Sequence, residues 1–223
     1  AEMVKMAGGN PRFVAGHPDN DFIPAPSDIE AAITANTKSI LFNTPCNPTG
    51  TIWPEKLLRH LCDLAYDRNL VLISDEIYDE IVYDAGYFVS MLSVDNAMER
   101  TVIINGFSKT YAMTGWRIGY LIGPSSVVNA ALRIHQNIAT CVNPFVQRAA
   151  CAALTGPQHA VQEMRDQYRR RRDLLVEGLN KLPYVSCPYV QGTFYAFADF
   201  SDLGMNSFDA SQYLLEKARV VTT

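Results

Sequence analysis

Four short runs of almost unbroken apolar residues constrain this chain more than any other feature: residues 39–43 (SILFN), 70–74 (LVLIS), 101–105 (TVIIN) and 118–122 (IGYLI). A strand with one wet face alternates apolar and polar side chains, whereas a strand covered on both faces is apolar nearly throughout. All four runs therefore read as buried strands of a mostly parallel sheet. Between the first two, Leu57, Leu58, Leu61, Leu64 and Ala65 recur at helical spacing behind Pro54 and Glu55, which suit a first helical turn. Strand, helix, strand is a βαβ unit, so the expected fold class is α/β, a mostly parallel sheet with flanking helices.

The remaining elements read less sharply. Ser27 to Glu30 has the form of a capping box opening a helix through Ala35. Residues 127–154 read as helical, broken near Asn143 and Pro144, and a longer helix is expected from Gly156-Pro157 to about Leu182. That helix carries a basic cluster, Tyr168 to Arg172, read here as a solvated face rather than a nucleic-acid contact. Residues 184–188 and 193–200 are strand-like, an amphipathic helix is expected over 208–218, and residues 220–223 look like a strand cut short. The expected division is a large domain over 1–156, and a connecting helix with part of a smaller α+β domain over 157–223.

Composition narrows the function classes. Of 223 residues, 48% are hydrophobic and 19% charged, enough to bury a core and too apolar for a disordered chain. The net charge of −4 offers no global attraction to nucleic acid or an anionic membrane. No apolar run is long enough to span a membrane, and no signal-peptide core is visible, although a chain opening on Ala1 does not begin as a natural N-terminus does. Five singly scattered cysteines, without a CxxC pair, fit a reducing, cytoplasmic compartment.

In open parallel sheets ligands bind beyond the C-terminal ends of the strands. After the first strand comes TPCNPTG (44–50), with Asn47; after the second come Asp75, Glu76 and Tyr78; after the third comes GFSKT (106–110), with Ser108 and Lys109, and then Arg117. An amine at a tight strand end can be turned to nucleophilic use by burial or nearby cations. A carboxylate there needs a positive or hydrogen-bonding partner. A hydroxyl with a guanidinium fork suits a phosphate. Each has an ordinary alternative: a surface lysine, a salt-bridged aspartate, a surface ion pair. The SKT at 108–110 is not a nucleotide-binding P-loop, since the two required glycine places hold Ser108 and Ile103. His17, His60, His135 and His159 show no metal-ligand spacing, so no metal site is expected.

Three blocks together, NTPCNPTG (43–50), SDEIY (74–78) and SKTYAMTGWRIGY (108–120), resemble the signatures of the class I/II pyridoxal-phosphate (PLP) aminotransferases of fold type I, in matching order and spacing. QGTFY (191–195) is similar to that family's entry into its small domain. The resemblance implies Lys109 as the Schiff-base lysine and acid–base group. Asp75 would pair with the cofactor's pyridine nitrogen, Tyr78 and Asn47 with its phenolic oxygen, and Ser108 and Arg117 with its phosphate. It also implies a cis Asn47-Pro48 bond. The implied activity moves an amino group between an L-amino acid and a 2-oxo acid, in a homodimer when full length. The implied large domain is the PLP-binding one.

One place departs from the pattern: many members carry a second serine where this chain has Gly106. Family members are much longer, so we expect a fragment, with the stacking aromatic, the rest of the phosphate cradle and the substrate-carboxylate arginine outside these residues. Two other readings stay open on the same residues: a PLP-dependent carbon–sulfur lyase, and the aminotransferase-like sensing domain of a transcription regulator.

Overall fold

The computed structural model describes residues 1–84 and 88–222. Its sheet has four strands in sequence order: β1 (Ser39–Asn43), β2 (Val71–Asp75), β3 (Thr101–Gly106) and β4 (Gly119–Ile122). β1, β2 and β3 pair in parallel, and β4 runs antiparallel to β3 with Gly106 opposite Gly119. The expectation of four alike buried strands therefore fails at the fourth. A parallel return needs a crossover, usually a helix. Residues 107–118 hold only a short 3-10 turn, Thr114–Trp116, so the chain doubles back.

The helices are α1 (Glu2–Met6), α2 (Pro26–Ala32), α3 (Glu55–Asp67), α4 (Ser125–Ile138), α5 (Pro144–Thr155), α6 (His159–Leu179) and α7 (Ser207–Tyr213). The apolar stripe of α3 packs with Ile29 of α2 against Phe42, Leu72 and Ile103 of the sheet. Alternate strand residues face the other way, and Leu41 and Ile104 are 57% and 42% exposed. Coverage of both faces, expected from the apolar runs, is thus seen in part among the described residues: one face is covered, and on the other only β3 is, at Val102.

Local rules also correct several boundaries. α2 starts at Pro26, whose fixed φ suits a first helical position, so Ser27 lies inside the helix and caps nothing. It ends at Ala32, where the Thr37 hydroxyl takes the Thr34 N–H at 2.8 Å and draws the chain into a turn. α5 begins as expected at the break, with Asn143 accepting from the Phe145 N–H. α6 stops three residues early, because the Asn180 side chain closes on the backbone of Cys187, accepting at 2.8 Å and donating at 2.9 Å.

The expected strands over 184–188 and 193–200 reduce to one bridge between them, Ser186 with Asp199, and Gly192, just ahead of the second, bridges Val82. The last helix divides into α7 and a wider π-turn, Leu214–Ala218. Residues 220–222 form no strand, and Thr223 lies outside the described residues.

The basic cluster on α6 is not wholly a solvated face. Arg172 is 7% exposed, its guanidinium 4.8 Å from the Tyr83 ring centre and 4.3 Å from that of Tyr189. It donates to the Val190 carbonyl and pairs with Asp173. A planar, weakly hydrated cation tolerates such a sandwich where lysine would not.

Candidate active site

The parallel register sets Asn43 beside Asp75 at one sheet edge, with Gly106 closing β3 there. Asn43 holds two parts of that edge together. Its amide donates to the Asp75 backbone carbonyl at 2.8 Å, and its side-chain oxygen accepts from the Asn47 N–H at 2.7 Å. The loop after β1 is drawn tight by Gly50 N–H on the Cys46 carbonyl (2.8 Å) and Cys46 N–H on the Thr51 carbonyl (2.9 Å). Both Thr44-Pro45 and Asn47-Pro48 are cis, the second as the resemblance implied.

The two successive acids after β2 have different environments. Glu76 is 2% exposed and accepts from the Ser74 hydroxyl (2.9 Å), the Ser90 hydroxyl (2.6 Å) and the Met91 N–H (3.0 Å). Burial pushes its carboxyl above the usual range and those bonds pull it back. It is a satisfied structural acid. Asp75 is half-buried and takes one bond, from the Ile77 N–H at 3.2 Å. Burial lifts its carboxyl too, with that single bond opposing. Among the described residues no cation pairs with it.

Tyr78 is buried and donates its hydroxyl to that of Tyr195 at 3.2 Å. Its phenol is pushed well above the usual range, first by burial and then by Tyr195, while the neighbouring Asn47 side chain pulls the other way. The Lys109 amine stands 5.7 Å from the Tyr78 ring centre and 5.4 Å from that of Phe194. Such ring faces attract a cation and leave a neutral amine in an apolar wall. Among the described residues neither Lys109 nor Ser108 has a side-chain hydrogen bond or ion pair. The turn that bears them is fixed by the Phe107 carbonyl, which accepts from Tyr111 and Met113, and by the Lys109 carbonyl, which accepts from Ala112.

The structure thus gathers Asn47, Asp75, Tyr78 and Lys109 around one edge, with Ser108 beside the lysine. Arg117 is less committed. It is exposed, holds a left-handed backbone, and donates back to the Thr114 carbonyl at 2.9 Å. Among the described residues no contact ties it to Ser108.

Sequence reasoning missed Phe194 and Tyr195 as site residues, although it singled out the QGTFY segment. Their position depends on a strap, residues 190–193, sewn across the loops that follow β1 and β2. Gln191 and Gly192 N–H bond the Gly50 carbonyl, Thr193 N–H bonds the Ile81 carbonyl, and the Ile52 N–H bonds the Gln191 side chain at 2.9 Å. A Cβ on Gly50 would lie 2.5 Å from a Val190 methyl and 2.9 Å from the Gly192 carbonyl, and its φ is +71°. Only glycine allows that approach. An aromatic pair just past a Gly-Thr turn was the available signal.

Known proteins match this chain over nearly its whole length. The family model for aminotransferase class I and II matches residues 1–223. Aromatic-amino-acid aminotransferase 2 of Thermococcus litoralis is 40% identical over 99% of this chain and 57% of its own length. The aspartate aminotransferase of Pyrococcus abyssi is 39% identical, again over 99% of this chain and 57% of its own length. The crystal structure of an aromatic aminotransferase from Pyrococcus horikoshii superposes with a TM-score of 0.94 at 37% identity, covering 98% of this chain and 59% of that one. The chain therefore spans somewhat more than half the length of the relatives it matches.

Proposed function

We propose, since the chain belongs to the class I and II aminotransferases, that it carries the cofactor-holding part of a transaminase acting between an L-amino acid and a 2-oxo acid. One observation carries the reading most directly. Among the described residues, a half-buried carboxylate without a cation, Asp75, shares a sheet edge with an uncommitted amine, Lys109. A buried carboxylate is costly until it meets a positive partner, and a protonated pyridine nitrogen is such a partner. The residues present therefore suit pyridoxal 5'-phosphate.

When bound, that cofactor supplies an electron sink for the charge left when a substrate Cα–H proton departs. The chain's own residues would do the rest. Asp75 holds a proton on the ring nitrogen by its charge. Tyr78 and Asn47 present donors to the ring's phenolic oxygen, and Ser108 and Arg117 present a hydroxyl and a guanidinium to the phosphate. Lys109 would anchor the cofactor through its Nζ and, with that amine free, would take the substrate Cα proton and deliver it to the cofactor carbon. The ring faces of Tyr78 and Phe194 flank that amine and hold it at the sheet edge.

The division of the chain at Gly156-Pro157, in the link between α5 and α6, belongs to the same reading, as do a homodimer and a cytoplasmic location for the whole protein. The five free cysteines fit a reducing compartment, and no helix among the described residues is long and apolar enough to cross a membrane. The test uses the full-length protein: borohydride reduction after loading, peptide mapping, and a screen of amino donors and 2-oxo acids. The adduct should map to Lys109 and oxo-acid acceptors should be turned over. An adduct on another lysine, or elimination without amino transfer, would replace the reading.

A further inference from the structure

We infer that Asp79 is a positioning residue for Lys109, acting through Asn105 and Thr110 on either side of the lysine turn. The inference rests on the reading of Lys109 above and deepens it. Asp79 directly follows Tyr78, and its carboxylate takes three hydrogen bonds. One oxygen accepts from the Asn105 amide at 2.6 Å; the other accepts from the Thr110 hydroxyl at 3.1 Å and from the Glu80 N–H at 2.8 Å. Asn105 and Thr110 are 7% and 3% exposed. They flank residues 106–109, so one carboxylate ties both ends of the lysine-bearing turn to the segment that bears Tyr78.

The other features of that turn explain why a tie is needed there. Asn105 uses its own side-chain oxygen to take the Gly106 N–H at 2.6 Å, which bends the chain out of β3. On the far side Gly106 lies flush with β4, where an added Cβ would meet the Gly119 Cα at 3.0 Å and the Ile118 carbonyl at 3.1 Å. The turn is stopped on one side by backbone contact and held on the other by Asp79. Bonds to an ionised carboxylate are shorter and stronger than neutral ones, and away from water they resist displacement. The burial that raises the Asp79 carboxyl is opposed by these same three bonds. None of the three reaches Lys109 itself, so Asp79 acts on where the amine is held.

The test uses the full-length protein, freed of cofactor, then supplied with pyridoxal 5'-phosphate. The rate at which a borohydride-trappable adduct forms on Lys109 is measured beside urea unfolding. Thr110→Val removes one bond at constant shape, Asp79→Ala removes all three, and the double variant Asp79→Asn, Asn105→Asp exchanges donor and acceptor while keeping the contact. We expect both single variants to slow the adduct by about tenfold or more, since misplacement by a fraction of an ångström carries such costs. The exchange should restore the rate to within about twofold of wild type, as coupled neighbours do. Wild-type rates in Thr110→Val would overturn the inference, and so would an exchanged pair as slow as Asp79→Ala. Should Asp79→Ala fail to fold, Thr110→Val and the exchange still decide. Trapping on a different lysine in the wild type would overturn the functional reading together with this inference; trapping on Lys109 at an unchanged rate overturns the inference alone.

Discussion

Replacing Arg172 with alanine should loosen the strap that carries Phe194 and Tyr195 to the lysine, without touching the sheet. The guanidinium stacks on two rings, Tyr83 at 4.8 Å and Tyr189 at 4.3 Å. Each such contact contributes roughly 0.5–2 kcal/mol, the upper end applying to desolvated pairs. It also donates to the carbonyl of Val190, a residue 1% exposed. Losing a charged hydrogen bond and leaving that carbonyl dry costs about 1.5–3 kcal/mol. Relief of the guanidinium's own desolvation offsets part of the sum, leaving about 2–5 kcal/mol, in the range of breaking a buried charged contact.

Hydrogen exchange on the full-length protein reads this locally. The Gly192 N–H, held by the Gly50 carbonyl, and the Thr193 N–H, held by the Ile81 carbonyl, should lose roughly 10²–10³-fold of protection. Amides of β2 and β3 should keep theirs. Arg172→Lys should recover only part, because an ammonium cannot lie flat between two rings. Strap amides that exchange within about threefold of wild type would refute the reasoning and leave the sandwich a passive surface contact.

Three further outcomes are expected. Lys109→Ala should abolish transamination by the full-length protein and the borohydride-trapped adduct together; retained trapping would move the anchor elsewhere. Asp75→Asn should cut turnover by about 10²-fold or more, as removal of a charge aimed at a dry reacting centre does. In the cofactor-free protein the same change should raise stability. Burial lifts the Asp75 carboxyl above its unfolded value of 3.8, so its ionisation destabilises the fold as pH rises through and above that value; the advantage of the Asp75→Asn variant over wild type in urea should be full at neutral pH and vanish below pH 3.8. Gly106→Ser should destabilise the fold by about 1–3 kcal/mol through overpacking, since its Cβ would press on the Gly119 Cα at 3.0 Å; urea unfolding unchanged from wild type would show that β4 yields.

The sequence by itself determined the four strands of the sheet, the main helix stripes and which polar residues follow the strand ends. Those signals are local: an apolar run, a 3.6-residue period, and a polar cluster that a parallel sheet delivers to one edge. The placing of Asn47, Asp75, Tyr78, Ser108 and Lys109 at that edge was legible for that reason. Tertiary structure decided what depends on partners distant in the chain. β4 reads like its neighbours in composition, yet its direction follows from the absent crossover after β3. Arg172 reads as one of four surface arginines until Tyr83 and Tyr189 close on it. Tyr195 meets Tyr78 across 117 residues, a contact set by the strap's bonds to Gly50 and Ile81. Asp79 passes for an ordinary acid after a strand until Asn105 and Thr110 are folded onto it. Periodicity records which face of an element is dry; only the assembled chain records which side chain fills that space.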